Sequence, residues 1–199
     1  MKIVGIAGKS GTGKSTIAAH LAMRGGAHID ADQVGHEVLE SDENAREDIR
    51  QRIGEDVFDA EGHIDRRRLG ARVFNDADLL VALNEIVHPA IRRECACTIE
   101  RLEAAGVPFA VVDAALLLDS EMPLTWDLLI ALVCDEEELF TRLMGKGGRT
   151  EAEVRQRLES QRGMGESIDR ADVVLDTCRP RDEVLADADA LIDELLSNP

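Results

Sequence analysis

Residues Gly8-Lys9-Ser10-Gly11-Thr12-Gly13-Lys14-Ser15 match the spacing G-x-x-x-x-G-K-S, a combination of residue types suited to holding a polyphosphate. Gly8, Gly11 and Gly13 let the backbone curl until successive N–H groups, that of Thr12 among them, point inward at phosphate oxygens. Lys14 puts a compact charge on a flexible stem, the form that bridges the outer phosphates of a nucleoside triphosphate. The hydroxyl of Ser15 suits Mg²⁺, and Thr16 continues the helix whose positive end faces the same anion. The context agrees, since an apolar run, Ile3 to Ala7, precedes the loop and a helical stretch, Ser15 to Ala19, follows it. Lysine is scarce: only Lys2, Lys9, Lys14 and Lys146 among 23 basic residues. The loop predicts a nucleoside-triphosphate site and leaves open whether the phosphoryl group goes to water, a small acceptor or a protein.

Carboxylates follow two other apolar runs. Asp30-Ala31-Asp32 comes directly after Ile29, and Asp113 follows Phe109 to Val112. In a parallel sheet the carboxyl ends of the strands share one edge, which would bring these acids near the phosphates. One could complete a Mg²⁺ shell with Ser15, for which Asp113 is the candidate, and another could orient an acceptor hydroxyl. The residues alone do not separate the two roles. Arg66-Arg67-Arg68 with Arg72, and Arg92-Arg93, are local positive patches. They read either as solvated helix faces or as guanidinium forks for an anionic acceptor.

The elements that must position these groups are legible as alternating runs. Ile3 to Ala7, Ala27 to Ile29, Phe109 to Val112, Leu128 to Val133 and Val173 to Leu175 are short, apolar and too continuous for one-sided strands. Helical stretches separate them, so an α/β fold with a five-stranded parallel sheet is expected. Ala31 to Pro108 shows helical patterning and no convincing strand, more than one crossover needs, which predicts a helical insertion over residues 33–107. Pro89 within it implies a kink or a break. Gly145-Lys146-Gly147-Gly148-Arg149 ends one helix, and Thr150 to Glu153 reads as a capping box opening the next; a small lid over 142–155 is expected.

Composition bounds the rest. The chain has 199 residues, 44% hydrophobic and 32% charged, enough for one full-size domain with a packed core. A net charge of −17 excludes a generic electrostatic nucleic-acid binder and disfavours docking on anionic membranes. Cys95, Cys97, Cys134 and Cys178 form no CxxC pair, and all four are expected to be reduced. Neither the cysteines nor the five histidines show zinc-site spacing. The longest apolar run, Leu128 to Cys134, falls far short of the roughly 20 residues that span a bilayer. A cytoplasmic protein is expected.

The motifs taken in order carry a resemblance. Gly8 to Ser15, Ile29-Asp30-Ala31-Asp32, Gly62 to Leu69 (G-x-I-D-R-x-x-L), Val73-Phe74-Asn75-Asp76, Leu83 to Pro89 (ending His88-Pro89) and Ala171-Asp172-Val173-Val174 together resemble the dephospho-CoA kinase family over nearly the whole chain. The resemblance implies a P-loop kinase fold with a helical CoA-binding insertion and a lid. It also implies ATP-dependent phosphorylation of the 3′-hydroxyl of dephospho-CoA, with ATP and Mg²⁺ as co-substrate and cofactor. Gly11, Gly13, Lys14, Ser15 and Thr16 would bind ATP, and Asp32 would be the acceptor-side carboxylate. Arg66 and His88 would line or support the acceptor pocket, and Gln161 matches a recurring glutamine after the lid. Three stretches depart from the family pattern: Ala115 to Asp119, Lys146 where an arginine is usual, and Thr177 where an asparagine is usual. Because lysine lacks the planar fork, Lys146 and Arg149 are expected to share the lid cation's role. The competing expectations are another small-molecule P-loop kinase and a nucleotide-binding switch that has lost catalysis.

Overall fold

The computed structural model describes residues 1–73, 76–113, 125–148, 150–161 and 166–197. The five apolar runs are the strands β1 Lys2–Gly8, β2 Ala27–Asp30, β3 Phe109–Asp113, β4 Leu128–Val133 and β5 Val173–Asp176. The helices are α1 Lys14–Ala22, α2 Ala31–Ser41, α3 Glu43–Arg52, α4 Arg66–Val73, α5 Ala77–Ala104, α6 Glu136–Gly145, α7 Glu151–Ser160, α8 Glu166–Asp169 and α9 Arg181–Ser197.

The strands form one parallel sheet in the order β2-β3-β1-β4-β5. β3 is buried at every position and β1 from Val4 to Ala7, which is why these runs are apolar without alternation. Chain order and spatial order diverge at β1, which has β3 on one side and β4 on the other. Ligands of open parallel sheets bind outside the strand ends at such a switch point.

Over one face lie Ile17, Ala18 and Leu21 of α1 and Val184, Ala188 and Ile192 of α9, packed on Val4, Ile6, Phe109, Val111, Ile130 and Leu132. The spacing within each helix presents one apolar stripe. At the rim His20 Nε2 meets Asp189 at 3.0 Å in a part-buried contact, and Arg24 meets Asp193 at 2.7 Å in an exposed pair that contributes little stability. A smaller cluster, Leu139, Leu143, Val154 and Leu158, packs α6 on α7. The expected capping box is present: Thr150 Oγ1 accepts from Glu153 N at 3.3 Å, and a Glu153 carboxylate oxygen accepts from Thr150 N at 2.7 Å.

Residues 32–98 form a compact unit of their own, the other being Met1–Ala31 with Ile99–Pro199. Three of its helices, α3, α4 and α5, begin where short acids cap them. Asp42 accepts from Asn44 N and Ala45 N at the start of α3, Asp65 from Arg67 N and Arg68 N at α4, and Asp76 from Asp78 N and Leu79 N at α5. Among its described residues the one strand-like pairing is an antiparallel bridge between Phe58 and Ile64. Pro89 does not break α5, which runs through it.

Two cysteines correct the expectation of four reduced thiols. Cys134 and Cys178 are joined by a disulfide, while Cys95 and Cys97 are not. The cause is register: β4 and β5 pair with Val133 opposite Asp176, so the residues that follow the two strands meet although 44 positions separate them. Among the described residues no helix is long and apolar enough to cross a membrane.

Candidate active site

The phosphate loop occupies the turn between β1 and α1. Gly8 has φ 149°, and a Cβ there would lie 2.7 Å from Leu132 O and 2.8 Å from Thr12 Oγ1. Only glycine fits both the conformation and the space. Thr12, almost fully buried, closes the turn by donating from Oγ1 to Lys9 O at 2.8 Å. Gly13, φ 91°, is the N-cap of α1; it makes no side-chain cap, and the first turn carries no acid. With no capping side chain and no acid in that turn, the helix dipole has the sign to favour an anion there. Lys14, in the same turn, is largely buried.

Ser15 Oγ donates to Asp113 Oδ2 at 2.5 Å. Asp113 is the last residue of β3 and is 4% exposed, and its register partners are Asp30 on β2 and Ile6 on β1. The expected edge of carboxylates thus exists at the amino end of α1, with Asp30 and Asp113 side by side. The oxygens of Ser15 and Asp113 are hard donors of the kind Mg²⁺ takes, so the residues present fit that ion.

Three side chains join this site to the rest of the fold. Ser10 N donates to Gln161 Oε1 at 2.9 Å, Gln161 Nε2 donates to Ser10 Oγ at 3.1 Å, and Arg157 Nε donates to Ser10 Oγ at 2.7 Å. Arg157 lies on α7 and Gln161 caps it, so the helix after the expected lid is tied to the phosphate loop. The four-residue spacing of Arg157 and Gln161 was a usable signal, since it puts both on one helix face. Gln161 was expected from the sequence, whereas Arg157 and His28 were not. His28 sits two residues before Asp30, and on a strand such residues share a face.

The remaining expected residues fall as follows. Asp32 is exposed in the first turn of α2. Arg66 is exposed and pairs with Glu40 at 2.9 Å, while in the same cluster Arg68 pairs with Asp65 and Arg72 with Asp56. His88 is half-buried in α5, and that burial, with the Arg92 charge, holds its imidazole below the usual pKa of 6.5. Lys146 is the exposed C-cap of α6. Thr177 is buried; its hydroxyl donates to Val133 O at 3.1 Å, and its carbonyl accepts from Arg142 at 2.7 Å. Arg149, the stretch Ala115 to Asp119, and Phe74 and Asn75 lie outside the described residues.

A parallel sheet in this order, with a phosphate loop at the carboxyl end of its central strand and acids along the same edge, defines a P-loop kinase-type nucleotide fold. A solved Thermus thermophilus protein superposes with a TM-score of 0.80 at 30% identity, covering 98% of this chain and 97% of that one. The family model described as dephospho-CoA kinase matches residues 2–180. Curated dephospho-CoA kinases of Corynebacterium efficiens and Leifsonia xyli are 36% and 37% identical to this chain. The alignments cover 98% and 96% of it, and 97% of each relative. The chain belongs to the dephospho-CoA kinase family, the kinases that phosphorylate dephospho-CoA with ATP in coenzyme A biosynthesis.

Proposed function

We propose that this chain transfers the γ-phosphoryl group of ATP to the 3′-hydroxyl of dephospho-CoA, using the phosphate loop and the carboxylates at the sheet edge. The observation that carries the reading is Ser15 Oγ on the buried carboxylate of Asp113 at 2.5 Å, at the N-terminus of an α1 that has no cap of its own. Backbone amides from Gly11 to Thr16 hold the β- and γ-phosphates, and Lys14 neutralises charge that builds on them in the transition state. Ser15 and Asp113 are the residues that would hold Mg²⁺, which would supply further neutralisation of phosphate charge.

Asp32 orients the acceptor hydroxyl and takes its proton at a carboxylate oxygen as the bond to phosphorus forms. Arg66 and His88 serve the acceptor side within a CoA-binding unit built by the insertion, and Lys146 with Arg149 provides the lid cation. The lid spans 142–155. A cytoplasmic setting and the lack of a nucleic-acid partner remain part of this reading, the latter because of the net charge of −17.

The test is to incubate purified protein with ATP, Mg²⁺ and dephospho-CoA, and in parallel with a panel of nucleosides and nucleotides. ADP release should require dephospho-CoA, and phosphorus NMR of the product should show a new 3′-phosphomonoester. ADP release with adenosine or a sugar but not with dephospho-CoA overturns the acceptor assignment.

A further inference from the structure

His28 has no role in the chemistry above, yet it stands against it. β2 and β3 pair with His28 opposite Val111 and Asp30 opposite Asp113, so His28, Asp30 and Asp113 project from one face of the sheet. One His28 ring nitrogen and one carboxylate oxygen from each aspartate all lie within 4.8 Å of one another. That is the span of two ligand atoms on opposite sides of a dication bound at about 2.0–2.4 Å. His28 Nε2 is buried and has no hydrogen-bond partner, and Asp113 Oδ2 is 3.8 Å away, beyond hydrogen-bond reach. The Asp113 side chain is only 5% exposed. A ring nitrogen withdrawn from water and left unbonded beside a buried carboxylate loses its solvation for nothing in the protein alone. A cation between them supplies the partner that the ring nitrogen lacks.

We propose that His28 Nε2, Asp30 and Asp113 form a binding site for a first-row transition dication, one that selects such ions over Mg²⁺. Mg²⁺ takes oxygen donors and gains little from imidazole, whereas Co²⁺, Fe²⁺, Zn²⁺ and, more weakly, Mn²⁺ accept a nitrogen ligand. The protein then has affinity for these ions before nucleotide arrives. The inference rests on the reading above only in placing the kinase metal at Asp113; the site itself follows from the three side chains.

Nucleotide-free full-length protein is titrated with Co²⁺, followed by its visible ligand-field bands, and with Mn²⁺, followed by electron spin resonance with spin-echo detection of nitrogen coupling. One equivalent of each ion should bind, Co²⁺ more tightly than Mn²⁺, and the bound Mn²⁺ should show coupling to a single imidazole nitrogen. In His28→Val the coupling should disappear and Co²⁺ affinity should fall by about tenfold or more. Asp113→Asn, as a second variant, should weaken both ions. His63→Gln, which removes an exposed imidazole beside Asp59, should leave the coupling intact.

Absence of Co²⁺ and Mn²⁺ binding at millimolar ion, or bound Mn²⁺ without nitrogen coupling, overturns the site. So does coupling that survives His28→Val, which assigns the ion to another histidine. Coenzyme A formation with Mg²⁺ and ATP is read on the same samples to keep the two ideas apart. Turnover without nitrogen coupling overturns this inference alone, while coupling without turnover upholds the metal site and overturns the proposed reaction.

Discussion

Lys14 and Asp32 divide the proposed reaction into charge neutralisation and handling of the acceptor, and each half makes its own demand. Removing the ammonium in Lys14→Ala takes a charge from the transferred group, so kcat should fall by about 10²-fold or more while the variant still melts cooperatively. A near-normal kcat would count against the phosphate-loop assignment. Asp32→Asn should lower kcat on the order of 10²- to 10⁴-fold with ATP affinity retained, because a group that acts on the acceptor proton works in the transition state. If ATP affinity collapses while kcat holds, Asp32 belongs to the metal shell and Asp30 or Asp113 is the better base. His88 speaks to pH. Burial, then Arg92, lowers its pKa below 6.5, so the unfolded chain binds the proton more readily than the folded one. Its contribution to stability is complete above about pH 6.5 and is lost as pH falls through the folded value. Melting curves of wild type and His88→Gln between about pH 8 and pH 5 should therefore converge or cross in favour of the variant on the acid side.

At the scale of elements, strand register decides the state of the cysteines. Cys134 and Cys178 follow paired strands and are bonded, while Cys95 on α5 is fully buried and Cys97 is exposed. Burial, with Glu94 adding to it, pushes the Cys95 thiol up to about 11, so near pH 8 it is protonated as well as inaccessible. A colorimetric thiol titration should find one reactive group, Cys97, in the native protein. Denaturation without reductant should reveal Cys95 as a second, and reduction the remaining pair. Four thiols in denatured, unreduced protein would show the disulfide to be absent. Helix α7 illustrates the same point from the functional side. Its own capping box starts it, but its tie to the phosphate loop comes from Arg157 and Gln161 reaching Ser10.

For the molecule as a whole, stability is concentrated where β1, β3 and β4 are covered by α1 and α9. Ile130 is fully buried in that layer, whereas Val174 on the outer strand β5 is 46% exposed. Ile130→Ala should cost about 2–5 kcal/mol, from lost transfer free energy and the cavity left behind. Val174→Ala should stay within about 0.5 kcal/mol. Urea unfolding of the two variants checks this contrast, and equal costs would mean that the core does not sit where the sheet places it.

Much of the protein was legible because it is written locally. The five strand runs, the phosphate loop with its positive-φ glycines, the Thr150 capping box and the helical character of residues 31–108 each depend on residues within a few positions of one another. Near-neighbour sterics and periodicity suffice for such features. The sequence also placed Asp30, Asp32 and Asp113 at strand ends, and so bounded where chemistry could occur. It offered Asp113 as the companion of Ser15 without fixing the contact, since the hydrogen bond between them joins residues 98 apart and exists only because β3 was inserted between β2 and β1. The contact of Ser10 with Gln161, the disulfide, and the convergence of His28 with two aspartates have the same origin. Each is set by how distant elements come together, by strand register for the disulfide and His28 and by the packing of α7 for Ser10, and no short stretch of chain contains that information.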